Sequence, residues 1–435
     1  MQTPKTTLTT IARGRLLWFV REPLGADDLS AYRYIEDGGL ISMDGKITWV
    51  GNWVDLPSTY KHAAYDDHRP HLILPGFIDC HVHFPQSQVV ASYAGSLLEW
   101  LNDYTFIEEQ KYGAPDFAAA MATRFLDQLI AHGTTTAVVY GSVHKTSCDA
   151  FLAQAETRGM RMIAGKVMMD RNAPVALLDT AQSGYDDTKA LLDHWTGRGR
   201  VDVAITPRFA LTSTEAQMEA AGALVRAYPN ALMQTHLSEN HGEIDAVMAL
   251  YPWCKDYTDV YDHYGLVTDK SLFGHAIHLS DREVARLAEA RAVAVFCPTS
   301  NLFLGSGFYD HARLQAAGVR HAIATDIGGG TSWSMLRTLD EGYKILNCQG
   351  QRYHPLRSFY QVTLGNAEAI GMAHLVGTLD IGSEADFVVL NSAATPAMAL
   401  RAQTIETLSQ ELFLLQTMGD DRAIVATYVA GLRAV

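Results

Sequence analysis

Between residues 72 and 328 the chain alternates eight apolar runs of strand length with amphipathic segments. The runs cover 72–83, 134–140, 160–169, 201–209, 231–239, 271–278, 292–300 and 321–328. The amphipathic segments include 116–132, 213–228 and 281–290. Near-continuous hydrophobic strands separated by helices mark a parallel sheet that is covered on both faces. Two of the helical segments open on capping-box signals, Thr212 to Glu215 and Ser280 to Glu283. Eight strand–helix units predict an α/β fold, a TIM-type (β/α)8 barrel. The alternative, an open doubly wound sheet, lacks its G-x-G-x-x-G turn after a strand.

The two ends of the chain read differently. Residues 7–70 show short strands, among them 14–20, and the pair 39–43 and 47–50 around the hairpin signal Asp44-Gly45. The last segment carries a turn and buried strand over 377–390 and another strand over 427–431. Both ends are expected to pair into one small β-sandwich. The chain thus divides into an N-terminal sandwich part (1–71), a catalytic barrel (72–370) and a C-terminal sandwich part (371–435).

With 435 residues, 48% hydrophobic and 19% charged, the composition is that of a globular protein. A net charge of −14 argues against nucleic acid or an anionic membrane as partner, since both demand a basic face. The cysteines Cys80, Cys148, Cys254, Cys297 and Cys348 are scattered and form no C-x-x-C, which favours a reducing compartment over a disulfide framework. Residues 1–20 lack a signal peptide's apolar core, and no run reaches the ~18 residues of a membrane helix. A cytoplasmic location is the expectation.

The chemistry gathers where barrel enzymes place it, at the C-terminal strand ends. Run one ends in His81-Val82-His83, and residues i and i+2 of a strand share a face. Run five ends in His236-Leu237-Ser238-Glu239, run six contains Gly274-His275, and run eight contains Thr325-Asp326. His81, His83, His236 and Asp326 supply three nitrogens and an oxygen, a set suited to Zn²⁺ or Fe²⁺ with one position left for water. Glu239, just past a strand end, is placed to take a proton from that water and return it to a substrate nitrogen. His275 is placed to hydrogen-bond the attacking oxygen or to complete the metal shell.

Competing motifs fall away. His241-Gly242-Glu243 matches the H-x-E of the small zinc deaminases, but no P-C-x-x-C follows it. No H-E-x-x-H is present. Lys166, after a strand, raises the possibility of a carboxylated bridge between two metals; a structural lysine is the simpler reading, because Glu239 already supplies a base.

Longer blocks carry a resemblance. They include Pro75-Gly76-Phe77-Ile78-Asp79-Cys80-His81-Val82-His83-Phe84-Pro85-Gln86-Ser87-Gln88, Leu98-Glu99-Trp100-Leu101, Gly165-Lys166-Val167-Met168-Met169-Asp170-Arg171-Asn172, Thr206-Pro207-Arg208-Phe209, Thr235-His236-Leu237-Ser238-Glu239-Asn240, Phe296-Cys297-Pro298-Thr299-Ser300-Asn301, Gly305-Ser306-Gly307 and Thr325-Asp326-Ile327-Gly328. On these residues the chain resembles the amidohydrolase superfamily, and within it the guanine deaminase family, over essentially its whole length. The resemblance implies hydrolysis of guanine to xanthine and ammonia in purine catabolism, one Zn²⁺ per chain (Fe²⁺ as the alternative) and a homodimer. His81, His83, His236 and Asp326 match the family's metal ligands, and Glu239 its proton shuttle. Gln86, Arg208 and Phe209 match the residues that hold the purine, with His83 and His236 beside it. Cys80 stands where related sequences often carry Thr.

The residue chemistry fits such a substrate. Phe209 can stack on a purine face, Arg208 can donate to the O6/N7 edge, and the Gln86 amide can donate and accept. Catalysis is then expected from Glu239, Asp326 and His275. Deamination of another nucleobase, a two-metal amide hydrolase using Lys166, and a metal-free scaffold are the rival readings.

Overall fold

The computed structural model describes residues 8–26, 28–93 and 96–435. Eight parallel strands follow one another around a ring: Phe77–His83, Thr134–Tyr140, Arg161–Gly165, Asp202–Val203, Met233–Leu237, Ser271–His275, Val293–Phe296 and Arg320–Ile323. The two four-stranded halves are joined by main-chain hydrogen bonds. Ile205 donates to Leu232, and Gln234 donates to Ile205, at 2.8 and 3.0 Å. On the other side Asp326 N–H donates to the His81 carbonyl at 2.9 Å and His83 N–H to that of Ile327 at 2.6 Å. The barrel is closed as the run pattern predicts.

Alternation sorts the strand residues. Ile78, Cys80, Val138, Ile163, Ala204, Leu232, Leu272, Val293, Val295, Ala322 and Ala324 form the inner core. Val82, Val139, Met162, Met233, Phe273 and Ala294 face outward to helices such as Pro115–Ala131 and Lys145–Arg158. The expected helices form at nearly the expected places. Ser280 and Glu283 make the predicted reciprocal cap of Asp281–Glu289. The other predicted cap shifts: Thr214, not Thr212, accepts from Gln217 N–H and starts Glu215–Ala227, because Thr212 belongs to a preceding short turn. His241-Gly242-Glu243 is structural as well, for Glu243 caps its own helix by accepting from the N–H groups of Glu239 and Asn240.

The chain ends do pair. Strands Thr9–Phe19, Tyr32–Met43, Lys46–Asn52 and Asp66–Pro75 join Phe387–Leu390, Ile424–Val429 and Leu432–Arg433. They form one hydrogen-bonded seven-stranded sheet rather than two separate ones. It curls, with a bulge between Gly14 and Leu16, so that the Asp44-Gly45 hairpin returns to the C-terminal segment. Ala385 N–H donates to Gly45, and Ile47 N–H to Ser383, both at 2.9 Å. The two layers of the expected sandwich are the halves of this curled sheet, enclosing Leu16, Trp18, Leu40, Ile73, Phe387, Val389 and Tyr428. The chain passes from Asp66–Pro75, paired on both sides within the sheet, into barrel strand Phe77–His83 at the single residue Gly76. A Cβ there would run into the Thr135 hydroxyl.

Sheet and barrel meet in a buried ion cluster at the N-terminal rim of the barrel. Arg161, the first residue of its strand, donates to both Glu384 oxygens at 2.5 and 2.7 Å. Arg200 donates to Glu384 at 2.6 and 2.9 Å and to both oxygens of Asp386. Among the described residues no helix is long and apolar enough to cross a membrane. All five cysteines are free, and only Cys348 is exposed.

Candidate metal centre and substrate cavity

His236 and Asp326 reach the interior by simple alternation from Leu232 and Ala322. His81 and His83 do not: Ile78 and Cys80 point inward while Val82 points outward. The pairing register slips between Asp79 and Val82, and this irregularity turns both histidines into the mouth. His275 ends its strand with φ +67°, Ala276 follows at +49°, and Ser238 and Asp326 stand at +49° and +52°. Four non-glycine residues in the left-handed region around one mouth are strain that the surrounding fold must hold. Gly274 makes room, since a Cβ there would lie 2.5 Å from His81 Cε1.

The four proposed ligands converge. His83 Nε2 lies 3.2 Å from His81 Nε2 and 3.3 Å from His236 Nε2. Asp326 Oδ1 lies 3.3 Å from Nε2 of both His81 and His83. His81, His83 and Asp326 are almost fully enclosed, and His236 is part-buried at the cavity wall. His236 Nδ1 donates to the Arg208 carbonyl at 2.7 Å, so its Nε2 turns a lone pair inward. Burial lowers His83 to about 4 and His236 well below the usual imidazole range, so both are neutral. Burial pushes Asp326 upward, but the hydrogen bonds of His81 and His83 outweigh it and keep the carboxylate ionised. The Nε2 atoms of three histidines and one carboxylate oxygen lie around a single spot, where one cation could take up a lone pair from each. The donor set therefore fits a divalent metal.

His275 stands on the far side. Its Nε2 lies 3.3 Å from Glu239 Oε2 and 3.6 Å from Asp326 Oδ2, while Nδ1 meets Asn301 Oδ1 at 2.9 Å. Glu239 leans over the cluster as predicted, and its Oε1 accepts from the Ser306 hydroxyl at 2.8 Å. Burial, with Asp326 close by, pushes Glu239 up to about 8. A cation beside it would pull that value back down.

A cavity opens on this cluster. Gln86, Arg208, Phe209, Glu239, His275, Leu97, Trp100, Leu101 and Leu304 are among its walls. Every site residue named from the sequence therefore lies in or against one space. Lys166 does not join them. It is buried and pairs with Asp179 at 2.7 Å, which leaves it occupied as a structural cation.

Sequence reasoning passed over several supporting groups. Tyr140 packs its ring 4.6, 4.5 and 4.9 Å from those of His81, His83 and His236. Asp79 ties the first strand to the last, accepting from His81 N–H and from the N–H and hydroxyl of Thr325. Glu109 is buried between Gln86 and Arg208 and accepts from both. Trp100 Nε1 is buried without a hydrogen-bond partner among the described residues. Strand periodicity signals none of them, and Glu109 sits in a charged stretch that reads as a solvated helix face.

The sequence profile described as the Amidohydrolase family matches residues 72–433. The chain belongs to the amidohydrolase family. The family is metal-dependent, in keeping with the donor cluster. This amidohydrolase is 47% identical over 406 residues to a guanine deaminase of Escherichia coli (strain K12), covering 92% of each chain. The solved structure of E. coli guanine deaminase superposes with a TM-score of 0.93 at 44% identity, over 98% of this chain and 99% of that one. A guanine deaminase from C. acetobutylicum with guanine bound in its active site superposes with a TM-score of 0.86 at 29% identity, over 98% and 100%.

Proposed function

We propose that this amidohydrolase converts guanine and water to xanthine and ammonia in purine catabolism. The observation that carries the reading is one cavity that joins the His81, His83, His236 and Asp326 cluster to a site rimmed by Arg208, Gln86 and Phe209. The relatedness to guanine deaminases over nearly the whole chain supports it.

Phe209 stacks on the purine face, and Arg208 and Gln86 hold the O6/N7 edge, which brings C2 toward the cluster. His81, His83, His236 and Asp326 hold one Zn²⁺ per chain, with Fe²⁺ as the alternative. Such a cation lowers the pKa of water from 15.7 to about 7 and so supplies a nucleophile at neutral pH. Glu239 takes the proton and sets it on N3. His275 hydrogen-bonds the attacking oxygen as C2 becomes tetrahedral. Glu239 or Asp326 then takes the proton of the new C2 hydroxyl and passes it to the departing amine, so that the C2–N bond breaks, the carbonyl forms and ammonia leaves. Free cysteines support a cytoplasmic setting, and the family resemblance supports a homodimer.

The test is ammonia release from guanine by the purified protein, before and after chelation and with Zn²⁺ or Fe²⁺ restored, alongside metal analysis. Turnover that follows about one equivalent of metal per chain is the expected result. No ammonia from guanine in metal-replete protein would refute the assignment.

A further inference from the structure

Glu109 offers no atom to the reacting centre, yet it decides what the purine rim presents. Its Oε2 accepts from Arg208 Nη1 at 2.7 Å and its Oε1 from Gln86 Nε2 at 3.1 Å. Gln86 Oε1 in turn accepts from Gly328 N–H at 3.2 Å. These partners fix the amide one way round, because a main-chain N–H must meet its oxygen and a carboxylate must meet its nitrogen. Phe106, one turn before Glu109 on the same short helix, lies 5.4 Å from Arg208 Cζ and holds the guanidinium from one side. What remains for a ligand is the second N–H of Gln86 and the uncommitted N–H groups of Arg208. The rim is donor-rich by construction.

We propose that Glu109 is a positioning residue that makes this site prefer a 6-oxopurine over a 6-aminopurine. The inference rests on the guanine reading above. An oxygen at C6 accepts from the fixed donors, whereas an amino group there sets N–H against N–H and leaves buried donors unpaired. A neutral amide at position 109 has one oxygen for two donors. Arg208 takes it, and the Gln86 amide, then held by Gly328 alone, no longer keeps its N–H fixed toward the purine.

The experiment compares guanine with 2,6-diaminopurine, which carries the same 2-amino leaving group but an amine at C6. Ammonia release is measured for the wild-type holoenzyme and for E109Q. Wild type favours guanine in kcat/KM by at least ~100-fold. E109Q loses roughly 10- to 100-fold on guanine, chiefly through KM, and much less on 2,6-diaminopurine, so the preference shrinks by about tenfold or more. Calorimetric binding gives a readout free of turnover. Hypoxanthine binds wild type more tightly than adenine, and the gap narrows in E109Q. Should E109Q not accumulate as folded protein, E109D withdraws the carboxylate by one methylene and must narrow the same ratios. Equal losses on both purines, or an unmoved hypoxanthine-to-adenine ratio, would overturn the proposal while leaving the guanine reading intact. A metal-loaded wild type that releases no ammonia from guanine defeats the functional reading itself, and this inference with it.

Discussion

Two clusters of buried charge occupy opposite ends of the barrel, and they are built on opposite terms. At the N-terminal rim, Arg161 and Arg200 face Glu384 and Asp386, and each cation finds its anion. Burial pushes Glu384 upward, but the two guanidinium groups outweigh it and hold the carboxyl down at about 2. At the C-terminal mouth, His81, His83 and His236 turn toward one another, and the carboxylates of Asp326 and Glu239 flank His275. Left-handed backbone at Ser238, His275, Ala276 and Asp326 gathers strain around the mouth. One cluster is complete and acts as a joint. The other is incomplete until a cation and a substrate enter, which is what makes it a site.

Perturbing each end should separate these roles. The largest effect belongs to the mouth: Asp326→Ala should remove bound metal and cut turnover by on the order of 10³-fold or more. With metal stripped from both proteins, its Tm should stay close to that of wild type, since the joint at the rim is untouched. Metal analysis with a thermal melt checks both, and a large loss of stability would erase the contrast. Glu239→Gln should keep metal and fold but lose roughly 10²- to 10⁴-fold in kcat. Near-normal kcat would strip Glu239 of its proton-carrying role.

Glu384→Gln should do the reverse. Leaving Arg161 and Arg200 short of an anion is expected to cost about 3–5 kcal/mol of stability, while kcat per folded molecule is unchanged. Denaturant titration beside an activity assay decides. A milder change is Asn301→Ala, which frees His275 Nδ1 and should lower activity about 10- to 100-fold without unfolding the chain. The smallest effect is one of pH. Glu384 titrates lower folded than unfolded, so its contribution is complete above about pH 5 and fades as pH falls toward 2. The Tm gap between wild type and Glu384→Gln should close over that interval, and a constant gap from pH 7 to 3 would break the assignment.

Much of the mouth was legible in the sequence because it depends on strand ends. Period-two alternation carries His236 and Asp326 inward without further information. The H-x-H pair was read correctly as sharing a face. Which face it shares was not legible, since simple alternation from Ile78 and Cys80 would have sent both histidines outward; a register slip that leaves no residue signature turns them in. The joint at the rim was invisible for another reason. Arg161 and Glu384 are 223 residues apart, and a pair so distant has no local pattern. Glu109 was hidden by its company, for Glu108, Gln110 and Lys111 dress it as a surface residue.

The passage at Gly76 bears on how this chain could be shortened or grafted. Strand Asp66–Pro75 is held between Thr9–Phe19 and Phe387–Leu390, and one glycine later the backbone is already the strand that carries His81 and His83. No slack separates the terminal sheet from the catalytic bed. Trimming either terminus would unzip a neighbour of that strand and loosen the histidines themselves, so the ends of this polypeptide are foundations, not appendages.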